Sequence, residues 1–182
     1  MDKRTEMIAG ASRIFDLEGF RGVGIDRVIE PSGVSTRTLY KHFGSRDGLV
    51  LAVLEARHAS FMQQLTAKSD NGDPIGSLFD TLHQWMAEQG ARGCMLLRAR
   101  SEYASASEAV VTLVQQQKKD FLEEVSRRIA LALGHGDESL ALQIWLLFEG
   151  ATASASVASI TVVDEAKRAA LLLLNLARGE DK

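Results

Sequence analysis

Ile8, Ala11 and Phe15 recur at the i, i+3, i+7 spacing of one helix face before Gly19 interrupts them, which predicts a first helix over about residues 3–18. Ile25, Val28 and Ile29 repeat that spacing over a shorter run closed by Pro31 and Gly33, so the second helix is about two turns long. Ser35 stands where an N-cap hydroxyl would accept from the free amides of a third helix over about 36–43, with Leu39 and Phe43 on its inner face. Ser45 is a second N-cap candidate, and Leu49, Val53, Leu54, Phe61 and Leu65 predict a longer fourth helix to about Lys68. The run SDNGDP is the clearest break. Asp73 as a cap with Pro74 in a first turn opens a fifth helix carrying Leu78, Leu82, Trp85 and Met86, and Gly90 and Gly93 enclose its end. MLLRARSEY predicts a short sixth helix, and Ser105 with Glu108 reads as a capping box for a seventh that runs to about Leu133 and stops at Gly134. Asp137 and Asp164 are cap positions for two more, the last ending before Gly179. Val, Ile and Thr do not alternate over any long run except ITVV at 160–163, too short for a sheet, so the fold is expected to be all-α.

The 182 residues are 46% hydrophobic and 25% charged, which places the chain among globular proteins and away from the composition of disorder. No signal-like apolar run and no stretch of about 18 apolar residues is present, and the single Cys94 permits neither an intrachain disulfide nor a cysteine-cluster zinc site. A cytoplasmic protein that does not enter a membrane is expected. The net charge of -3 is unevenly spread: residues 1–48 hold eight Lys or Arg against seven Asp or Glu, and the remainder holds thirteen against seventeen. That asymmetry is weak, but it directs attention to where the basic residues gather.

They gather in GVSTRTLYKHFGSRDGL at 33–49. Gly33 permits a sharp turn between two short helices and Val34 can plug the angle between them, the arrangement of a helix-turn-helix. With Leu39 and Phe43 turned inward, Thr36, Arg37, Thr38, Tyr40, Lys41 and His42 form the outward face of a recognition helix. A solvated bundle helix would account for the charges but not for the accompanying hydroxyls and tyrosine. Arg37, in the first turn, has the planar fork that matches the O6 and N7 acceptors of guanine, while Tyr40, Lys41, His42 and Arg46 suit phosphates.

The segment from Ile8 through Leu54 resembles the DNA-binding domain of the TetR family of transcriptional regulators. The resemblance rests on Gly19-Phe20, Ser32-Gly33-Val34-Ser35, Thr38-Leu39-Tyr40-Lys41-His42-Phe43 and Ser45-Arg46-Asp47-Gly48-Leu49, with a looser likeness in GCMLLRARSEY at 93–103. Val23-Gly24 stands where the family usually has a Thr or Ser that caps helix two, Pro31 replaces a helix former, and Arg37 replaces a small residue. The resemblance implies about nine helices: an N-terminal three-helix DNA-binding domain at 1–48 and a C-terminal helical bundle at 49–182 for effector binding and dimerisation. It implies a homodimer on double-stranded operator DNA, with repression as the expected sign and a small-molecule effector that changes operator affinity. Ser35 completes the DNA-facing set. A helical ligand-binding or interaction protein that has lost specific DNA binding is the alternative.

No enzyme, cofactor or metal site is expected. Glu55 and His58 form a lone E-x-x-H, whereas a carboxylate di-iron bundle needs two such pairs. Cys94 near a helix start could have a depressed pKa and respond to oxidants, or simply be a small buried residue. His83, Trp85, Met86, Arg98 and Gln117 are the candidate effector-binding residues, from a cavity expected between helices five to eight. Leu140, Ile144, Leu147 and Phe148 followed by GATASASVAS, with Ala170, Leu171, Leu172 and Leu174 in the last helix, predict a two-fold interface approached closely at Ala151 and Ala155.

Overall fold

The computed structural model describes residues 2–67 and 72–179, and among these there are nine α-helices, one 3-10 turn and no strand. Helix α1 (Lys3–Glu18) starts at Asp2, whose carboxylate accepts from the Thr5 amide at 2.8 Å, and ends at Gly19 with φ 82°. Helix α2 (Ile25–Ile29) passes into a 3-10 turn (Glu30–Ser32), so Pro31 ends the α-helix by tightening it. Helices α3 (Thr36–Phe43), α4 (Arg46–Ala67), α5 (Gly76–Gln89), α6 (Met95–Glu102), α7 (Glu108–Leu133), α8 (Glu138–Ser154) and α9 (Val162–Arg178) follow. The end expected for the fourth helix at Lys68, and the first half of the SDNGDP break, lie outside the described residues.

Three helix starts differ from expectation. Asp73 does cap, accepting from the Gly76 amide at 2.8 Å, but it closes a turn and α5 begins only at Gly76. The Ser105 and Glu108 capping box does not form. Buried Tyr103 anchors a turn, in which the Ala106 and Ser107 amides donate to the Tyr103 carbonyl at 3.0 and 3.1 Å, and α7 starts beyond it at Glu108. Asp164 lies in the first turn of α9 instead of capping it, because Thr161 and the ITVV residues already turn there.

The chain forms two compact units. The first takes residues up to Ser60 together with Met95–Gln117, and the second takes Phe61–Cys94 with Lys118 onward. In the first, Phe15 stacks on Phe20 at 4.8 Å, Tyr103 meets Phe20 edge-on at 6.3 Å, and Leu39, Leu49, Leu54, Ala99, Val110 and Val114 are fully buried around them. Each such aliphatic or aromatic side chain stabilises the fold by about 1.5–3 kcal/mol relative to exposure. Helix α6 and the start of α7 therefore share one core with α1 to α3.

In the second unit Phe61, Phe79, Phe121 and Phe148 form an aromatic cluster, with Phe121 and Phe148 at 4.5 Å. Helix α9 packs on α8 and α5. Ala151 and Ala155 are buried within this unit's own core, so they do not form the close-approach surface expected of them. Leu142, Leu146, Leu172 and Leu176 are the exposed apolar residues of α8 and α9. Arg128 is wholly buried: its guanidinium donates to Glu124 at 2.7 Å, to the Leu65 and Pro74 carbonyls at 2.7 and 3.0 Å, and to Ser77 Oγ at 2.7 Å. A buried cation requires such complete pairing.

Candidate nucleic-acid interface

Gly33 adopts φ 63° and ψ 17°, a left-handed conformation that gives the turn between α2 and α3 its sharp angle, and half-buried Val34 packs on the core beneath it. Ser35 follows in extended conformation. Its hydroxyl accepts from the Thr38 amide at 3.2 Å and lies 3.0 Å from Thr38 Oγ1, so both hydroxyls work at the cap of α3. Thr36 Oγ1 donates to Asp26 Oδ1 at 3.2 Å and ties the first turn of α3 to α2. Leu39 is fully buried and Phe43 half-buried, which fixes the rotation of α3 about its axis.

That rotation exposes Arg37, Tyr40, Lys41 and His42. Arg37 and Lys41 stand one helical turn apart on the side opposite Leu39, and neither makes a hydrogen bond or ion pair with the described residues. The eight residues of α3 thus present two free cations, a phenol and an imidazole on a rigid support. The charge and the donors can meet phosphates and base edges in a major groove.

The surrounding cations divide by use. Arg4 of α1 lies over the Phe43 ring at 5.4 Å, which brings another exposed cation to the end of α3; the sequence reading missed it because the contact joins segments far apart in the chain. Arg27 is held by Glu18 at 2.8 Å and by Glu30, and these carboxylates raise its pKa still further. Its charge is locally neutralised. Arg46 is half-buried: its guanidinium donates to the Phe20 carbonyl and, at 2.7 Å, to the Val23 carbonyl, and lies over the Phe15 ring at 5.9 Å. Burial pushes the Tyr103 phenol up, and the opposing pull of Arg46 does not reverse that. The structure engages Arg46 inside the unit, unlike Arg37 and Lys41.

The residues singled out for an effector divide between the two units, His83, Trp85 and Met86 in the second and Arg98 and Gln117 in the first. Met86 is buried in the second unit's core, Trp85 meets Phe61 edge-on at 5.3 Å, and His83 is half-buried on the same helix. Arg98 belongs to the first unit, where it donates to the Asp16 carbonyl at 2.9 Å and the Phe15 carbonyl at 3.4 Å. Gln117 is 4% exposed and its Oε1 has no hydrogen-bond partner among the described residues. Cys94 is a free, half-buried thiol. Among the described residues no three His, Cys, Asp or Glu side chains gather as a metal site, and no helix is long and apolar enough to cross a membrane.

Residues 7–53, which contain this whole arrangement, match the family model of bacterial regulatory proteins of the tetR family. The chain is 24% identical over 144 residues to the HTH-type transcriptional repressor NemR of Escherichia coli, covering 76% of this chain and 70% of that protein. It is 29% identical over 101 residues to the HTH-type transcriptional activator FasR of Mycolicibacterium smegmatis, covering 53% and 45%. Among solved structures, a TetR-family transcriptional regulator from Streptomyces coelicolor superposes with a TM-score of 0.85 at 25% identity, covering 97% of this chain and 96% of that one.

Proposed function

Because this chain is a TetR-family transcriptional regulator, we propose that it is a repressor that holds double-stranded operator DNA through α3 and is released by a small-molecule effector. The observation that carries the DNA-binding reading is the outward face of α3, where Arg37 and Lys41 remain unpaired while the neighbouring Arg27 and Arg46 are engaged. Arg37, in the first turn of the recognition helix, reads a guanine. Lys41, Tyr40 and His42 contact phosphate, and Ser35, Thr36 and Thr38 set the start of the helix, with Arg4 adding charge beside Phe43.

The named repressor activity of NemR supports the sign of regulation, and that of FasR makes activation the second reading. Effector binding is assigned to the helices of the second unit, near His83, Trp85 and Met86, whereas Gln117 belongs to the first unit. Gln64 Oε1 and Trp145 Nε1, like Gln117 Oε1, are buried without a hydrogen-bond partner among the described residues, and a ligand offering both donors and acceptors would satisfy such groups. The exposed leucines of α8 and α9 support a homodimer.

The test begins with duplexes selected by the full chain from a random-sequence library. Fluorescence anisotropy on the selected duplex should show tight binding that falls linearly in log affinity with log salt, and random duplex should bind far more weakly. Transcription from a promoter carrying the selected site should drop when the protein is added; a rise would establish activation instead. Equal, weak binding to every duplex would remove the regulator reading.

A further inference from the structure

Phe20 and Arg21, at the turn between α1 and α2, have backbone amides that no helix satisfies. Both donate to one oxygen: Glu102 Oε2, at 2.9 and 2.7 Å. Glu102 ends α6 and is 82 residues from Phe20 in the chain. The Arg21 guanidinium returns a bond to the Glu102 carbonyl at 3.3 Å. Gly19 makes the approach possible: it has φ 82°, and a Cβ there would stand 3.1 Å from Glu102 Oε1.

Cations grip the same turn as well. Arg98, one turn before Glu102 on α6, donates to the carbonyls of Phe15 and Asp16, and Arg46 donates to those of Phe20 and Val23. The signs are complementary to the backbone: Arg98 meets the carbonyl end of α1, Arg46 the carbonyls of the turn after it, and the carboxylate the amides of that turn. Helix α2 departs from this turn, and α3 is tied to α2 through Thr36 and Asp26. A shift of the turn therefore moves the recognition helix.

We propose that Glu102 is a positioning residue for DNA recognition, acting through the Phe20 and Arg21 amides without touching DNA, and that α6 is thereby a working part of the DNA-binding unit. This rests on the DNA-binding reading above. It goes beyond the matched segment 7–53, which contains neither Glu102 nor Arg98.

The full-length chain carrying Glu102→Ala, Glu102→Asp or Glu102→Gln tests it. Asp keeps the charge but is one methylene too short to reach, whereas the Gln oxygen can still accept both amides. Glu102→Ala and Glu102→Asp should bind the selected duplex about tenfold more weakly, with a reduced preference over random duplex and an unchanged salt slope. Glu102→Gln should stay within about threefold of the parent. Hydrogen exchange without DNA gives an independent readout: the Phe20 and Arg21 amides should lose protection in Glu102→Ala while the Leu39 amide keeps its own. Unchanged protection of those two amides, or wild-type affinity in folded Glu102→Ala and Glu102→Asp, would overturn the proposal. An equal loss in Glu102→Gln would do the same, since charge and not hydrogen-bond acceptance would then matter. If the parent protein selects no sequence, the regulator reading fails, while the exchange result still decides whether Glu102 holds the turn.

Discussion

The Arg46 guanidinium donates to two carbonyls of the α1 to α2 turn, whereas that of Arg37 meets no partner among the described residues. The same group is thus fixed in one place and available in the other. Arg37→Ala should weaken the selected duplex by about 1–3 kcal/mol and relax discrimination at one base pair per half-site, while Lys41→Ala should weaken all duplexes alike and lower the salt slope by about one. Anisotropy titrations over a salt series separate the two. Arg46→Ala, by contrast, should lower Tm, because it leaves two carbonyls without their donor at a cost of about 1–3 kcal/mol, and should leave the salt slope unchanged. The exposure of Arg37 and Lys41 was legible in the sequence because Leu39 and Phe43 fix the helix face locally. That of Arg46 was not, since its partners lie 26 and 23 residues away.

At the scale of elements, the caps that read correctly from sequence are those whose hydrogen bond closes within three residues, as with Ser35 to Thr38 and Asp137 to Leu140. The start of α7 was misread because the burial of Tyr103, a tertiary fact, extends the preceding turn past Ser105. The turn between α3 and α4 depends on Gly48, where a Cβ would come within 2.0 Å of the Phe43 carbonyl oxygen. Gly48→Ala should therefore shift that turn, cost about 1–3 kcal/mol in thermal unfolding and weaken DNA binding as Phe43 moves. In the second unit, burial works to raise the Glu124 pKa, but its bonds to Arg127 and Arg128 outweigh that and hold it below its ordinary 4.5. Its contribution is fully present above 4.5 and is lost as pH falls through the lowered value. Melting curves on acidification should show Glu124→Gln less sensitive than the parent below that pH.

For the whole molecule, the all-helical architecture and the position of α3 were readable from hydrophobic spacing and short turn motifs. The division of the chain was less so: α6 is nearly fifty residues from α4's start in sequence, yet its Met95 and Ala99, with Tyr103 just beyond it, complete the first core. Assembly follows exposure. Leu146 and Leu172 are 56% and 65% exposed, so a charge at either should leave the chain folded. Leu146→Glu or Leu172→Glu should convert a dimer to monomers by light scattering and weaken operator binding by uncoupling the two half-sites. A dimer mass unchanged in both variants would place the interface elsewhere.

The discontinuity of the first core also bears on how the protein is made. A ribosome adding about 5–20 residues per second releases α1 to α4 seconds before Met95–Val114 emerge. Until then Phe15, Phe20 and Leu49 lack the residues that cover them, and the amides of Phe20 and Arg21 lack Glu102. The nascent helix-turn-helix therefore presents apolar surface and an unanchored turn during synthesis, a natural substrate for a holding chaperone. The turn that carries α2 and α3 is complete only when the chain has been extended well past it.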